Sequence, residues 1–308
     1  MSHPEKEYDV VIIGGGPAGL SAGIYTARAR LNSLLVERGV VGGQILNAEM
    51  VENYPGFPEG ISGFDLSQFM HQQATRFGLE TVTAEVTGIE ITGEQKLVKT
   101  SQGDFVTRAV IIASGSERQK LVVPGEAEFT GKGVSYCATC DAAFFRDKPV
   151  AVVGGGNAAI TEALELTKFS SKITVIHRRN QLRATQILQE RAFAEPKIEF
   201  LWDTVVEEIM GAAFVNRLRV RNVKTGQESG LDVSGVFVSV GFKPNTDYLN
   251  GVLTLDATGA VVTSDKMETS IPGILAAGDI RSNSIRQVIA AAGDGAIAAI
   301  YAEKYLTG

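Results

Sequence analysis

One unit of sequence occurs twice in this chain, and the repeat narrows the folds open to it. Residues Asp9–Ile13 form a short apolar run that leads into Gly14-Gly15-Gly16-Pro17-Ala18-Gly19. A helical pattern from Leu20 to about Arg30 follows, then a second apolar run, Ser33–Val36, that stops at Glu37. The same order returns 140 residues later: Val150–Val153, Gly154-Gly155-Gly156-Asn157-Ala158-Ala159, a helix to about Lys168 and a run from Lys172 to Ile176. No gap is needed to superpose the two. Strand, glycine turn, helix and strand in this order make the βαβ unit that binds dinucleotides. Gly14 permits the tight turn, Gly16 lets backbone amides approach a pyrophosphate, and Gly19 lets helix and strand pack closely. The pyrophosphate lies at the positive end of the helix. Ala159 stands where the first copy has Gly19, a substitution that the fingerprint tolerates.

The two copies differ where the second strand ends. Glu37 can accept hydrogen bonds from a ribose diol, whereas its counterpart is His177, followed by Arg178, Arg179 and Arg183. A carboxylate favours a free 2′-hydroxyl, and guanidinium groups suit a 2′-phosphate through paired charged hydrogen bonds. In isolation His-Arg-Arg reads as a solvated basic turn. At this offset from a glycine fingerprint it predicts NADP(H) in the second module.

Cys137-Ala138-Thr139-Cys140, with Asp141 directly after it, contains the only two cysteines of the 308 residues. A disulfide this short closes a small ring and removes little chain entropy, so it suits opening and closing better than bracing a fold. The other readings are half of a zinc site or two buried thiols. Zinc needs four ligands, and beyond this pair the chain offers no cysteine and only His3, His71 and His177. Two dinucleotide modules and one redox dithiol together describe an electron relay. The first module is then assigned FAD, because a flavin accepts a hydride and passes two electrons to a disulfide.

The remaining sequence agrees with two whole domains. The length of 308 residues exceeds the size at which a single core stops growing. Stretches Thr81–Thr100 and Phe105–Ile112 alternate or run apolar like strands, and Val110-Ile111-Ile112-Ala113-Ser114-Gly115 ends on small residues suited to a close crossing. Thr204–Val240 is a second strand-rich region after the second module. A run Gly273–Asp279 precedes Arg286-Gln287-Val288, which opens a small-residue helix to about Tyr305. A net charge of −6 argues against nucleic acid or an anionic membrane as the main partner. No window approaches the ~20 apolar residues of a membrane span, and Met1–Glu7 lacks the form of a signal peptide. A cytoplasmic location is therefore expected, where a lone Cys-x-x-Cys reads as redox-active.

With these residues in hand, the chain resembles the low-molecular-weight thioredoxin reductases along nearly its whole length. The match includes both glycine motifs, Gly42-Gly43-Gln44, Glu52-Asn53-Tyr54-Pro55-Gly56, Cys137-Ala138-Thr139-Cys140-Asp141, His177-Arg178-Arg179 with Arg183, and Gly278-Asp279 with Arg286-Gln287-Val288. The specific part is the dithiol inside the second module's domain; larger disulfide reductases place theirs soon after the first, where this chain has Val40-Val41-Gly42-Gly43-Gln44. The resemblance implies an α/β protein of two Rossmann-like, three-layer dinucleotide-binding domains, the second inserted into the first. It implies an FAD domain of about 1–118 with 248–308, an NADPH domain of about 119–247 carrying the dithiol, and a homodimer. It further implies that Cys140 faces the flavin, that Cys137 attacks the disulfide of a thioredoxin or thioredoxin-like protein, and that Asp141 is the acid/base. The FAD contacts implied are Gly14, Gly16, Pro17, Ala18, Glu37, Gly43, Gln44, Asn53, Asp279, Arg286, Gln287 and Val288. Those for NADPH are Gly156, Asn157, Ala158, His177, Arg178, Arg179 and Arg183.

One departure bears on the partner. The family commonly reads Cys-Asp-Gly-Phe-Phe after the dithiol, and this chain reads Cys140-Asp141-Ala142-Ala143-Phe144-Phe145-Arg146, next to the surface used for docking. Lys132 replaces a frequent arginine. A reductase of a peroxiredoxin system would usually add an N-terminal redox domain, and about eight residues precede Asp9 here. A ferredoxin–NADP reductase would lack the dithiol, and a sensor that has lost catalysis would have lost a cysteine or the basic cluster.

Overall fold

The computed structural model describes residues 6–48, 50–249 and 251–308. The N-terminal reading on Met1–Glu7 falls largely outside them. The chain divides into two units, one formed by the residues up to Glu117 together with Lys243–Gly308, the other by Arg118–Phe242. Among the described residues no helix is long and apolar enough to cross a membrane.

In the first unit, the strand Lys6–Ile13 lies between Ser33–Glu37 and Phe105–Ile112, parallel to both. Val10, Val11 and Ile12 are fully buried, as a central parallel strand covered on both faces requires. Their side chains alternate between two cores. Val10 and Ile12 join Ala109, Ile111 and the helices Pro17–Arg28, Gly63–Arg76 and Val288–Thr307. Val11 and Ile13 join Val110, Ile112 and the meander side chains Ile89 and Val98. Phe105–Ile112 serves both ends of the sheet, because Phe105–Thr107 pairs antiparallel with Gln95–Thr100 while Val110–Ile112 pairs with Ile274–Ala276. The result is helices, parallel sheet and antiparallel meander in three layers.

The second unit repeats this. Five parallel strands lie in the order Ile198–Leu201, Lys172–Ile176, Pro149–Val153, Gly235–Val238 and Val134–Ser135. Val150 and Val152 face the helices, and Ala151 and Val153 face the meander of Thr204–Gly211, Val215–Asn222 and Glu228–Asp232. The offset of 140 persists in the pairing register. Val10 lies opposite Ser33 and Ile13 opposite Val36; Val150 lies opposite Ile173 and Val153 opposite Ile176. Gly14 N–H donates to Val36 at 2.8 Å and Gly154 N–H to Ile176 at 3.0 Å. The duplication therefore extends from motif to hydrogen bond.

The helices of the two modules differ at the close helix–strand contact. A Cβ on Gly19 would lie 1.8 Å from the Gly14 carbonyl oxygen, whereas Ala159 is accommodated with 1% exposure. The helix Asn157–Leu166 also holds a buried carboxyl, Glu162. The Arg118 guanidinium approaches Glu162 Oε1 to 2.5 Å as an ion pair, without an aligned hydrogen bond, and also donates to Ser239 Oγ at 2.9 Å. Burial pushes Glu162 up to about 7, against the pull of Arg118 and with a small push from Glu165.

Two predictions follow from these contacts. Gly19→Ala should lower unfolding stability by about 1–3 kcal/mol through overpacking, although alanine is the native residue at the equivalent position; Ala159→Gly should lower it by only about 1 kcal/mol through helix propensity. Thermal denaturation followed by circular dichroism ranks the two, and equal effects would contradict the asymmetry. For Glu162, the unfolded carboxyl ionises near 4.5 while the folded one holds its proton to about 7. The unfolded state therefore binds fewer protons in that window, and stability falls as pH rises through it. The loss is at most roughly 3 kcal/mol. Glu162→Gln should remove this slope in urea denaturation between pH 5 and 8; parallel stability curves for variant and parent would refute the buried-carboxyl account.

Candidate active site

Two helix N-termini are left open by their own sequences. Gly16 caps Pro17–Arg28 and Gly156 caps Asn157–Leu166, and neither cap supplies a side-chain acceptor to the free backbone N–H groups. Such ends attract anions. Space is available there, since a Cβ on Gly156 would meet nothing within 4 Å. Pro17 occupies the first helical turn, and Ala18 behind it is buried. Asn157 turns its Oδ1 to the Thr185 N–H at 2.8 Å, and Ala158 follows it in the first turn.

Around the first cradle the chain returns several times. Glu37 sits at the end of its strand with Oε2 accepting the Gly15 N–H at 2.7 Å and Oε1 the Gly39 N–H at 2.9 Å. Its carboxylate thus fixes the glycine turn. Gly42 N–H donates to the Gly15 carbonyl at 2.8 Å, and Gly43 comes so near Gly16 that a Cβ on it would lie 3.0 Å from the Gly16 Cα. Gln44 Nε2 reaches the Ser116 carbonyl at 3.3 Å, and Asn53 Nδ2 donates to Gln287 Oε1 at 2.8 Å. Gln287 caps Val288–Thr307, with Val288 as first residue. Asp279 lies in the turn Gly278–Ile280 and accepts the Ser284 hydroxyl at 3.0 Å, while burial raises its carboxyl and the hydroxyl and the nearby Arg286 charge oppose this. Of the residues assigned to FAD, Glu37 and Gly43 meet the glycine turn directly, Gly278 beside Asp279 packs against Ala18, and Asn53 meets Gln287. The set suits a dinucleotide: open amides, a tied carboxylate and polar side chains from three further segments.

The second cradle is basic. Arg178, Arg179 and Arg183 line an open cavity of about 390 Å³ together with Asp203 and Lys224. Arg183 N–H donates to the Gly155 carbonyl at 2.6 Å, the same contact that Gly42 makes with Gly15. His177 does not line this cavity. It is 4% exposed and packs under the glycine turn, where a Cβ on Gly155 would lie 2.5 Å from its ring. Burial, together with the three arginines, lowers its proton affinity, although a hydrogen bond to the Gln181 backbone opposes this, and Nε2 has no hydrogen-bond partner among the described residues. A neutral imidazole thus packs under the second turn where a carboxylate ties down the first.

The dithiol occupies the start of a short turn. Cys137 and Cys140 are joined as a disulfide, Cys137 caps Ala138–Asp141, and its Sγ accepts the Cys140 N–H at 3.2 Å. Cys140 is exposed and Cys137 half-buried. Asp141 is linked to the pair through a residue absent from the sequence reading: Ser135 Oγ donates to Asp141 Oδ2 at 2.6 Å and accepts the Cys137 N–H at 3.1 Å. No spacing rule marks Ser135, because the strand that presents it is two residues long. Of the departing segment, Ala142 and Phe145 are buried, Phe145 against Phe237, while Ala143, Phe144 and Arg146 are exposed. Ser284 and the pair Arg281–Asp294, which supports Gly278, were also not legible.

Comparison with known proteins agrees with this assembly. The model of the pyridine nucleotide-disulphide oxidoreductase family matches residues 8–295. A thioredoxin reductase of Peptoclostridium acidaminophilum is 44% identical over 98% of both chains, and one of Bacillus subtilis is 47% identical over 98% of this chain and 96% of its own. Among solved structures, the thioredoxin reductase of Lactococcus lactis superposes with a TM-score of 0.96 at 46% identity, covering 97% of this chain and 99% of its own. That of T. acidophilum gives 0.94 at 32% identity, covering 99% and 100%. Duplicated nucleotide cradles, a dithiol in the second unit and similarity over almost the full length lead to one family: the chain belongs to the pyridine nucleotide-disulphide oxidoreductases, and within them to the thioredoxin reductases.

Proposed function

We propose that this chain is an NADPH-dependent thioredoxin-disulfide reductase in which Cys137–Cys140 carries electrons from a flavin to a small protein disulfide. The observation that carries the reading is the dithiol on the unit that also holds the basic cradle, in a chain whose first unit repeats the same dinucleotide module. The unit of 1–117 with 243–308 would hold FAD and Arg118–Phe242 would hold NADPH. When bound, the two cofactors supply hydride and relay its two electrons.

The chain's own residues do the rest. Gly14, Gly16, Pro17, Ala18, Glu37, Gly43, Gln44, Asn53, Asp279, Arg286, Gln287 and Val288 bind and orient FAD; Gly156, Asn157, Ala158, Arg178, Arg179 and Arg183 bind NADPH, with His177 supporting their turn. Two electrons break the Cys137–Cys140 bond, leaving Cys137 as a thiolate and Cys140 as a thiol whose proton arrives through Asp141; the partner's two sulfurs later take up that proton and one from solvent. The Cys137 thiolate then attacks the partner's disulfide to form a mixed disulfide. Cys140 attacks Cys137 Sγ, which re-forms the internal bond and releases the partner as a dithiol. Phe144, 73% exposed beside this turn, offers an apolar contact for a thioredoxin or thioredoxin-like protein. A cytoplasmic homodimer completes the reading, supported by the family resemblance and by the cycling dithiol, which needs a reducing compartment. Nucleic acid and membrane have no part in it, in keeping with the net charge of −6.

Cys137→Ser and Cys140→Ser test the relay. Both variants should retain a flavin that NADPH reduces and lose thioredoxin reduction. Substantial turnover in either would sink the scheme. Cofactor choice is tested at the cavity. A guanidinium–phosphate contact contributes roughly 1.5–3 kcal/mol, so Arg178→Ala or Arg183→Ala should lower kcat/KM for NADPH by about tenfold to a hundredfold and barely alter NADH use. Equal losses with both nicotinamides would show that these arginines support the fold instead.

A further inference from the structure

Among the described residues, Ser135 is the one buried hydroxyl that touches both the nucleophile's backbone and the acid/base. It is 4% exposed and ends the strand Val134–Ser135, which is held in register against Val236–Phe237. A hydroxyl on a paired strand is placed more tightly than one on a loop. Its oxygen accepts the Cys137 N–H at 3.1 Å. Its single proton has two acceptors within reach, Asp141 Oδ2 at 2.6 Å and the Cys137 carbonyl at 3.2 Å. One proton cannot serve both well. The shorter contact, to a carboxylate, is the stronger.

We propose that Ser135 is a positioning residue for the dithiol, a hydroxyl that holds Asp141 beside the cysteines and follows its proton. While Asp141 is ionised, Ser135 donates to it. When Asp141 carries the proton, the carboxyl donates to Ser135 Oγ and the hydroxyl turns to the Cys137 carbonyl. The Cys137 N–H contact persists in both states, so the proton moves on and off Asp141 without loosening the turn that carries the nucleophile. No bond other than O–H changes partner in this exchange, and the proton count is that of the disulfide step already described. The inference rests on Asp141 as the acid/base.

The test follows flavin absorbance by stopped flow in the holoenzyme, separating flavin reduction by NADPH from electron passage between flavin and dithiol. Ser135→Ala should leave the first step intact and slow the second by roughly tenfold to a hundredfold, the range spanned by one hydrogen bond to a charged group. Ser135→Thr should restore it and Ser135→Val, equal to threonine in volume, should not; this pair keeps the comparison valid if the alanine variant folds poorly. In an Asp141→Asn background, Ser135→Ala should add little. Hydrogen exchange at the Cys137 amide, a readout independent of turnover, should accelerate in Ser135→Ala and Ser135→Val. A parental second step in Ser135→Ala with a slow Asp141→Asn would overturn the inference alone. Full additivity in the double variant would also overturn it, since Ser135 would then act on the turn and not through Asp141. A parental rate in Asp141→Asn would overturn the reading beneath it.

Discussion

Both nucleotide modules depend on one close approach. The carbonyl that follows the third strand of each, Ala113 in the first and Ser239 in the second, stands where a side chain on the first glycine would have to be. A Cβ on Gly14 would lie 2.4 Å from the Ala113 oxygen, and one on Gly154 would lie 2.3 Å from the Ser239 oxygen. Both glycines also have positive φ, 105° and 150°, so no other residue satisfies the backbone and the packing together. With that contact made, Ala113 N–H reaches Ile13 at 2.7 Å and Ser239 N–H reaches Val153 at 2.8 Å, closing the sheet against the turn. The helix then starts with free amides facing outward, which is the property an anion needs.

The glycine turn is local in sequence, although the carbonyl it meets is not, and so the βαβ unit was legible while its third strand was not. Apolar runs of four or five residues, a glycine turn and a helix of one pitch fix the βαβ unit, and an exact offset shows the unit twice. The third strands could be placed only as apolar stretches, because their partners are decided by a crossover and not by neighbouring residues. Val110–Ile112 and Val236–Val238 fill those places. The sites divide along the same line. Glu37, Arg178 and Arg183 were legible from their distance to a glycine motif. Ser135, Ser284 and the Arg281–Asp294 pair were not, since each meets its partner across a turn whose geometry no helix or strand period announces. His177 illustrates a role that position alone leaves open: it stands at the Glu37 position and does serve the turn, but from beneath it as packing.

The duplication also explains how the dithiol is presented. Its turn hangs between the edge strand Val134–Ser135 and the helix Asn157–Leu166, where Thr139 Oγ1 donates to Glu165 Oε2 at 2.9 Å. Buried Ala138, Ala142 and Phe145 anchor it in the helix-side core, while Cys140, Ala143 and Phe144 stay exposed. A paired strand, an apolar floor and a single shared hydroxyl leave Cys140 exposed and tie the Asp141 carboxylate to the Cys137 amide. That is the arrangement a reversible disulfide requires.

The central claim is that electrons leave this protein through Cys137–Cys140. It is tested most directly by the flavin's visible absorbance in the absence of oxygen: NADPH should bleach it, and oxidised thioredoxin should then restore it while its own disulfide opens. Bleaching that thioredoxin fails to reverse, with recovery only when dioxygen is admitted, would contradict the account.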